Sequence, residues 1–201
     1  MTTDSPHRPD PVRIEWPDEA ATAACARTLA AQSADLRHAV IALEGDLGAG
    51  KTTFVRHLLR ALGVQGRIKS PTYAIVEPYT VAGAAGESTI AGAAGECTIA
   101  GAAGEWPVWH FDFYRFSDPR EWEDAGLRDI FASEGLKLCE WPQRAHGVMP
   151  QPDLHLDIQV QPANDDDQAP ARLAQWRAHS ALGQRLLGGL AQRASATMGS
   201  R

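Results

Sequence analysis

Gly45-Asp46-Leu47-Gly48-Ala49-Gly50-Lys51-Thr52 decides the reading of this chain. It satisfies G-x-x-x-x-G-K-[ST] at every fixed position, and Ala39–Leu43 before it is a continuous apolar run of the kind a buried strand needs. After it, Phe54, Val55, Leu58, Leu59 and Leu62 recur at helical spacing, and Gly63 stands where a helix would stop. A strand, a glycine-rich turn and a helix in that order build a phosphate cradle. The glycines let successive backbone N–H groups turn inward, and the helix N-terminus adds the positive end of its dipole. Lys51 then brings a point charge to the β- and γ-phosphates, and the Thr52 hydroxyl is a hard ligand for Mg²⁺.

Working outward, Val12, Ile14 and Trp16 alternate with polar residues as a short strand, and Pro17-Asp18 opens a helix to about Ser33. Tyr73–Tyr79 and Trp106–Phe116 read as strands. Asp118-Pro119 starts a helix through the 120s, Leu136–Trp141 and Leu154–Val160 are further strands, and Arg172–Ala178 pairs back after the polar turn Asn164–Gln168. Ser180 caps a last helix to about Gln192. The order predicts an α/β fold of the P-loop NTPase type, with a central mixed sheet flanked by helices. Residues 12–192 form a single domain between a Pro-rich, disordered tail (1–11) and a flexible C-terminal tail (193–201). Between the two middle strands AGAAGESTI (82–90) repeats as AGAAGECTI (91–99), with a partial third copy to residue 105. One Ile per copy cannot build a solenoid core, so 82–105 is expected as a low-complexity insertion in a hairpin loop.

Composition removes other classes. Nineteen basic and 25 acidic residues leave a net charge of −6, which disfavours autonomous binding to nucleic acid. Cys25, Cys97 and Cys139 form neither a disulfide framework nor a zinc spacing. The amino-terminal stretch lacks a signal-peptide pattern and no apolar run could span a membrane, so a cytoplasmic protein is expected.

A phosphate loop needs a second metal anchor at a neighbouring strand end, and Asp112, closing Val108–Asp112, suits that position. His110, two residues earlier, reads as a packed, hydrogen-bonded strand histidine rather than a general base. Glu140 ends another strand, and carboxyl ends of strands face the ligand crevice of an open sheet. That places Glu140 either near the γ-phosphate, orienting water, or on the surface. Trp141 reads as core. The Thr72 hydroxyl could sense phosphate or Mg²⁺, as switch-loop threonines do, or belong to a plain Ser-Pro turn.

GDLGAGKTT (45–53), SPTY (70–73), HFDFYR (110–115) and EWP (140–142), in this order and spacing, resemble the TsaE (YjeE) family of small bacterial P-loop ATPases. The resemblance runs from about residue 12 to 190 and includes the lead-in Glu121–Leu127. It implies ATP and Mg²⁺ as ligands, and TsaB- and TsaD-like proteins as partners in forming N6-threonylcarbamoyladenosine next to the tRNA anticodon, with tRNA met through the complex. It also implies that Gly45, Asp46, Leu47, Gly48, Ala49, Gly50, Lys51, Thr52 and Thr53 bind nucleotide, with Thr72 and Trp141. Lys51, Asp112 and Glu140 are implied in catalysis, and Thr52, Asp112 and Glu140 on the metal. The repeat at 82–105 departs from the family pattern. The alternative is a small-molecule P-loop kinase, but the stretch long enough for a lid, 82–105, carries no Lys or Arg. A GTP switch would show an Asn-Lys-x-Asp stretch, and the chain has none.

Overall fold

The computed structural model describes residues 11–71, 74–82, 104–118, 120–162 and 170–198. Seven strands form one sheet: β1 (Val12–Trp16), β2 (Val40–Glu44), β3 (Val76–Val81), β4 (Trp106–Asp112), β5 (Leu136–Glu140), β6 (Leu154–Val160) and β7 (Arg172–Ala178). Their spatial order is β1-β7-β6-β2-β5-β4-β3. The four central strands β6, β2, β5 and β4 run parallel, and β7, β1 and β3 add antiparallel edges. The expected mixed α/β sheet is therefore present. β2, the most apolar strand, sits in the middle with both faces covered, as a parallel strand requires.

One face carries α1 (Glu19–Ala30), α2 (Ser33–Leu36), α3 (Lys51–Ala61) and α6 (Ala181–Met198) over the larger core. Phe54 fixes α3 to the sheet. Its ring stacks on Trp16 at 5.6 Å and meets Trp176 edge-on at 5.5 Å, all three fully buried. The opposite face carries α4 (Arg120–Asp124) and α5 (Leu127–Ala132) over an aromatic cluster of Phe111, Phe113, Phe116 and Trp122.

Helix starts follow their capping residues. Asp18 Oδ1 accepts from the Ala21 N–H at 2.8 Å. Asp118 Oδ1 accepts from the Arg120 N–H, while Glu121 accepts from the N–H groups of Ser117 and Asp118, a reciprocal cap. Ser180 Oγ accepts from the Gly183 N–H at 3.0 Å.

Several expected boundaries shift. The helix after Asp18 ends at Ala30, and the expected helix of the 120s is two short ones, because Gly126 turns left-handed at φ 64° between them. β3 begins at Val76 rather than Tyr73, since the chain before it turns with Ile75 at φ 65°. β4 stops at Asp112 and β5 at Glu140, and α6 continues to Met198. Thr72, the turn at 164–168 and nearly all of the 82–105 repeat lie outside the described residues.

The repeat joins two strands that already face each other, with Val81 opposite Trp106. Replacing 82–105 by Asn-Gly should leave the fold intact. Shortening the loop lowers closure entropy, so urea unfolding should show equal stability or a gain of up to about 2 kcal/mol. Loss of the cooperative transition would show that the repeat holds the fold.

Candidate functional site

Side chains alternate along strands, so Val108, His110 and Asp112 of β4 share a face, as do Leu136, Leu138 and Glu140 of β5. Val108, Leu136 and Leu138 belong to the core beneath α3, which assigns that face. Asp112 and Glu140 are register partners at the carboxyl ends of their strands. β2 ends one strand away at Glu44 and enters the glycine loop, which turns back into α3 at Lys51. Topology alone thus brings two acids on two strands to the start of one helix.

The loop needs its glycines. Gly45 has φ 135°, and a Cβ there would stand 2.5 Å from the Ile158 carbonyl oxygen of β6. Gly48 and Gly50 also have positive φ, at 82° and 113°. Leu47, Gly48, Gly50, Lys51, Thr52 and Thr53 line a cleft with Ser70, Asp112, Tyr114, Glu140 and Trp141. Gly45, Asp46 and Ala49 belong to the loop without lining that cleft. A larger surface groove lies elsewhere, between α4, α5 and residues 147–150.

Lys51 is almost completely buried. Its Nζ donates to the carbonyls of Gly45 at 2.6 Å and Asp46 at 2.9 Å. Burial pulls its pKa below the ordinary lysine value, against the opposing pull of Glu140, Asp112 and Asp46. The Trp141 ring lies under the ammonium, 3.8 Å from Nζ to the ring centroid, and packs on Tyr114 at 5.0 Å. Trp141 is therefore in the site rather than in the core. It also carries strain: φ is 58° although the residue is bulky and precedes a proline. Trp141 and Ile75 are the non-glycine residues with positive φ among those described; Trp141 lines this cleft, and the Ile75 carbonyl accepts from the N–H of Asp112, which also lines it. Strain that clusters at one cleft is a mark of function.

Glu140, 2 % exposed, is the hub. Thr52 Oγ1 donates to its Oε2 at 2.9 Å, and His110 Nε2 lies 2.8 Å from its Oε1. Glu140 thus stands in the cleft, not on the surface. Asp112 accepts from Ser70 Oγ on Oδ2 and from the Tyr114 N–H at 3.0 Å on Oδ1. The Asp112 N–H donates to the Ile75 carbonyl, tying the loop after Ser70 to the end of β4. The assembled donor set is two hydroxyls and two carboxylates, all hard oxygens, beside a lysine and a helix N-terminus. Such a set suits a phosphate anion with Mg²⁺.

Sequence reasoning pointed to Lys51, Thr52, Asp112, Glu140 and Trp141, and the fold brings all five together. It passed over Ser70, Tyr114 and Arg172, and it read His110 as a packed, hydrogen-bonded histidine without naming Glu140 as the partner that the structure gives it. Ser70 and Tyr114 lie inside the quoted SPTY and HFDFYR stretches, so attention to every polar group there would have reached them. Arg172 had no local signal.

A parallel-centred sheet with a glycine loop between strand and helix, and an acid on each of two adjacent strands, defines an α/β protein of the P-loop NTPase type. Residues 16–169 match the family model described as "Threonylcarbamoyl adenosine biosynthesis protein TsaE", and the chain belongs to that family. It is 38% identical over 119 residues to the tRNA threonylcarbamoyladenosine biosynthesis protein TsaE of Haemophilus influenzae, covering 59% of this chain and 61% of that one. It is 34% identical over 128 residues to the protein of the same name from Bacillus subtilis, covering 64% and 65%. The chain therefore matches somewhat under two thirds of the length of these relatives. The crystal structure of Bacillus subtilis YdiB superposes with a TM-score of 0.60 at 25% identity, over 91% of this chain and 97% of that one.

His110→Ala would leave the buried Glu140 carboxylate with one of its two side-chain partners. Urea unfolding at neutral pH should show a loss of about 1–3 kcal/mol. His110→Gln keeps an N–H donor and should lose less; equal losses would mean that His110 acts by packing alone.

Proposed function

We propose that this chain binds ATP with Mg²⁺ and hydrolyses it as the ATPase subunit of tRNA N6-threonylcarbamoyladenosine biosynthesis. It does so in the cytoplasm beside TsaB- and TsaD-like proteins that carry the transfer and the tRNA contact. The observation that carries the reading is the convergence of Thr52, Glu140, Asp112 and Ser70 on the lysine end of the glycine loop. Family membership and the names of the relatives support the biosynthetic setting. Among the described residues no helix is long and apolar enough to cross a membrane.

The residues divide the work by position. Backbone N–H groups of the loop and first turn of α3 receive the phosphates, and Lys51 exchanges the Gly45 and Asp46 carbonyls for phosphate oxygens. A bound Mg²⁺ would supply charge neutralisation to the phosphates. The Thr52 hydroxyl and the Asp112 carboxylate would hold it, with Ser70 keeping Asp112 oriented. Glu140, steadied by His110, orients the attacking water and accepts its proton. Trp141 walls the cleft beside Lys51 and reduces water access to the charges inside.

Calorimetry with ATP and GTP, with and without Mg²⁺, tests binding. Lys51→Ala should abolish measurable nucleotide affinity. Glu140→Ala should keep ATP binding while single-turnover hydrolysis falls by about 10²-fold or more, because water positioning acts in the transition state. Turnover should be slow alone and rise with TsaB- and TsaD-like partners. Wild-type affinity in Lys51→Ala would refute the nucleotide site, and fast unassisted phosphoryl transfer to a small acceptor would favour the kinase alternative.

A further inference from the structure

Asp112 and Glu140 approach the glycine loop from the β4 and β5 side. On the other side, toward β6 and β7, stands a residue with no part in that arrangement. Arg172 opens β7, opposite Val160 at the end of β6. Its Nε donates to the Ala49 carbonyl at 2.9 Å, and one terminal nitrogen donates to the Pro170 carbonyl at 3.2 Å. The side chain crosses Gly50 closely, and a Cβ on Gly50 would lie 3.4 Å from Arg172 Nε and 3.6 Å from its Cδ.

We infer that Arg172 is a positioning residue of the nucleotide site, which sets the Gly50 N–H toward the phosphate by holding the Ala49 carbonyl on the outside of the loop. The inference rests on the nucleotide-binding reading of the loop. A trans peptide is planar, with its C=O and N–H pointing in opposite directions. The bond to Arg172 therefore fixes the 49–50 peptide with its carbonyl outward and its N–H turned to the opposite side. Gly50 lines the cleft, and Arg172 does not. Glycine carries little intrinsic preference for a peptide orientation, so the 49–50 peptide, with Gly50 at φ 113° on its far side, needs an external anchor to keep its N–H aimed. An arginine beside a helix N-terminus is also poorly placed for the helix dipole, which favours anions there. Local helix stability does not explain that position; a loop that must receive an anion does.

Side-chain length gives a clean test. In glutamine the amide nitrogen follows Cδ, as Nε does in arginine, so Arg172→Gln keeps the donor to Ala49 without the charge. Arg172→Met keeps the length without donor or charge. ADP and inorganic pyrophosphate, each with Mg²⁺, are titrated into wild type and both variants, with circular dichroism confirming the fold. Arg172→Met should weaken both probes to a similar extent, by about tenfold or more, since the anchor acts through the phosphate loop. Arg172→Gln should recover most of that loss. In steady-state hydrolysis KM should rise in the Met variant with little change in kcat. Unchanged affinity in Arg172→Met would overturn the inference, as would equal losses in Gln and Met, which would mean charge attraction. A loss confined to ADP would overturn it in favour of direct contact with the nucleoside. Failure of wild type to bind either probe would instead refute the nucleotide site itself.

Discussion

A carboxylate that is 2 % exposed at the end of β5 is the constraint from which the site is built. Removing such a charge from water costs several kcal/mol unless donors replace the lost hydration. Glu140 has two side-chain partners, Thr52 on the helix of the glycine loop and His110 on the adjacent strand. Each charge-assisted bond contributes about 1.5–3 kcal/mol, so the two together offset much of the burial. The consequence is geometric. Glu140 can stay buried only while α3 begins where it does and β4 keeps its register against β5.

The glycine loop is held from both flanks under the same logic. On one flank Lys51 bonds the Gly45 and Asp46 carbonyls and lies over the Trp141 ring. On the other, the Ile158 carbonyl leaves no room for a side chain at Gly45, and Arg172 holds the Ala49 carbonyl. The loop's groups for an anion are fixed by contacts that come from β6, β7 and the turn after β5, not by the loop alone. Such prior fixing lets a site stabilise charge without reorganising when a ligand arrives. The left-handed Trp141 and Ile75 show where the chain accepts strain to achieve it.

What the sequence made legible divides along physical lines. The loop was readable because it is local: eight consecutive residues state a backbone requirement, and the flanking apolar runs supply the strand and helix. Asp112 and Glu140 were readable because apolar alternation that ends in an acid marks a strand terminus. Their pairing was not, since the β4–β5 register is settled by packing across the sheet. His110 shows the limit well. A strand histidine on a core face is packed in most proteins, and only the neighbouring strand's Glu140 makes it a partner of the site. Arg172 lies more than a hundred residues beyond the loop it touches, and no pattern within β7 announces that contact. Strand ends moved where a single residue turned left-handed, at Ile75 and after Glu140, and neither residue type advertises that conformation.

Charge balance carries the argument from the site to the need for other components. Lys51 and Arg172 bring two positive charges to the loop, while Asp46, Asp112 and Glu140 bring three negative ones. Near a protein surface two unit charges 4 Å apart interact by about 4 kcal/mol, so a nucleotide triphosphate would meet net repulsion from such a set. The backbone dipoles of the loop and of α3 reduce that repulsion but add only about half a unit of charge. On the proposed reading a bound divalent cation would reverse the balance, and the acids of the cleft would make binding depend on it. Positive groups from a partner docked over the cleft would act in the same direction. On that reading, dependence on a metal and on a partner would share one electrostatic origin, the two acids buried at the ends of β4 and β5.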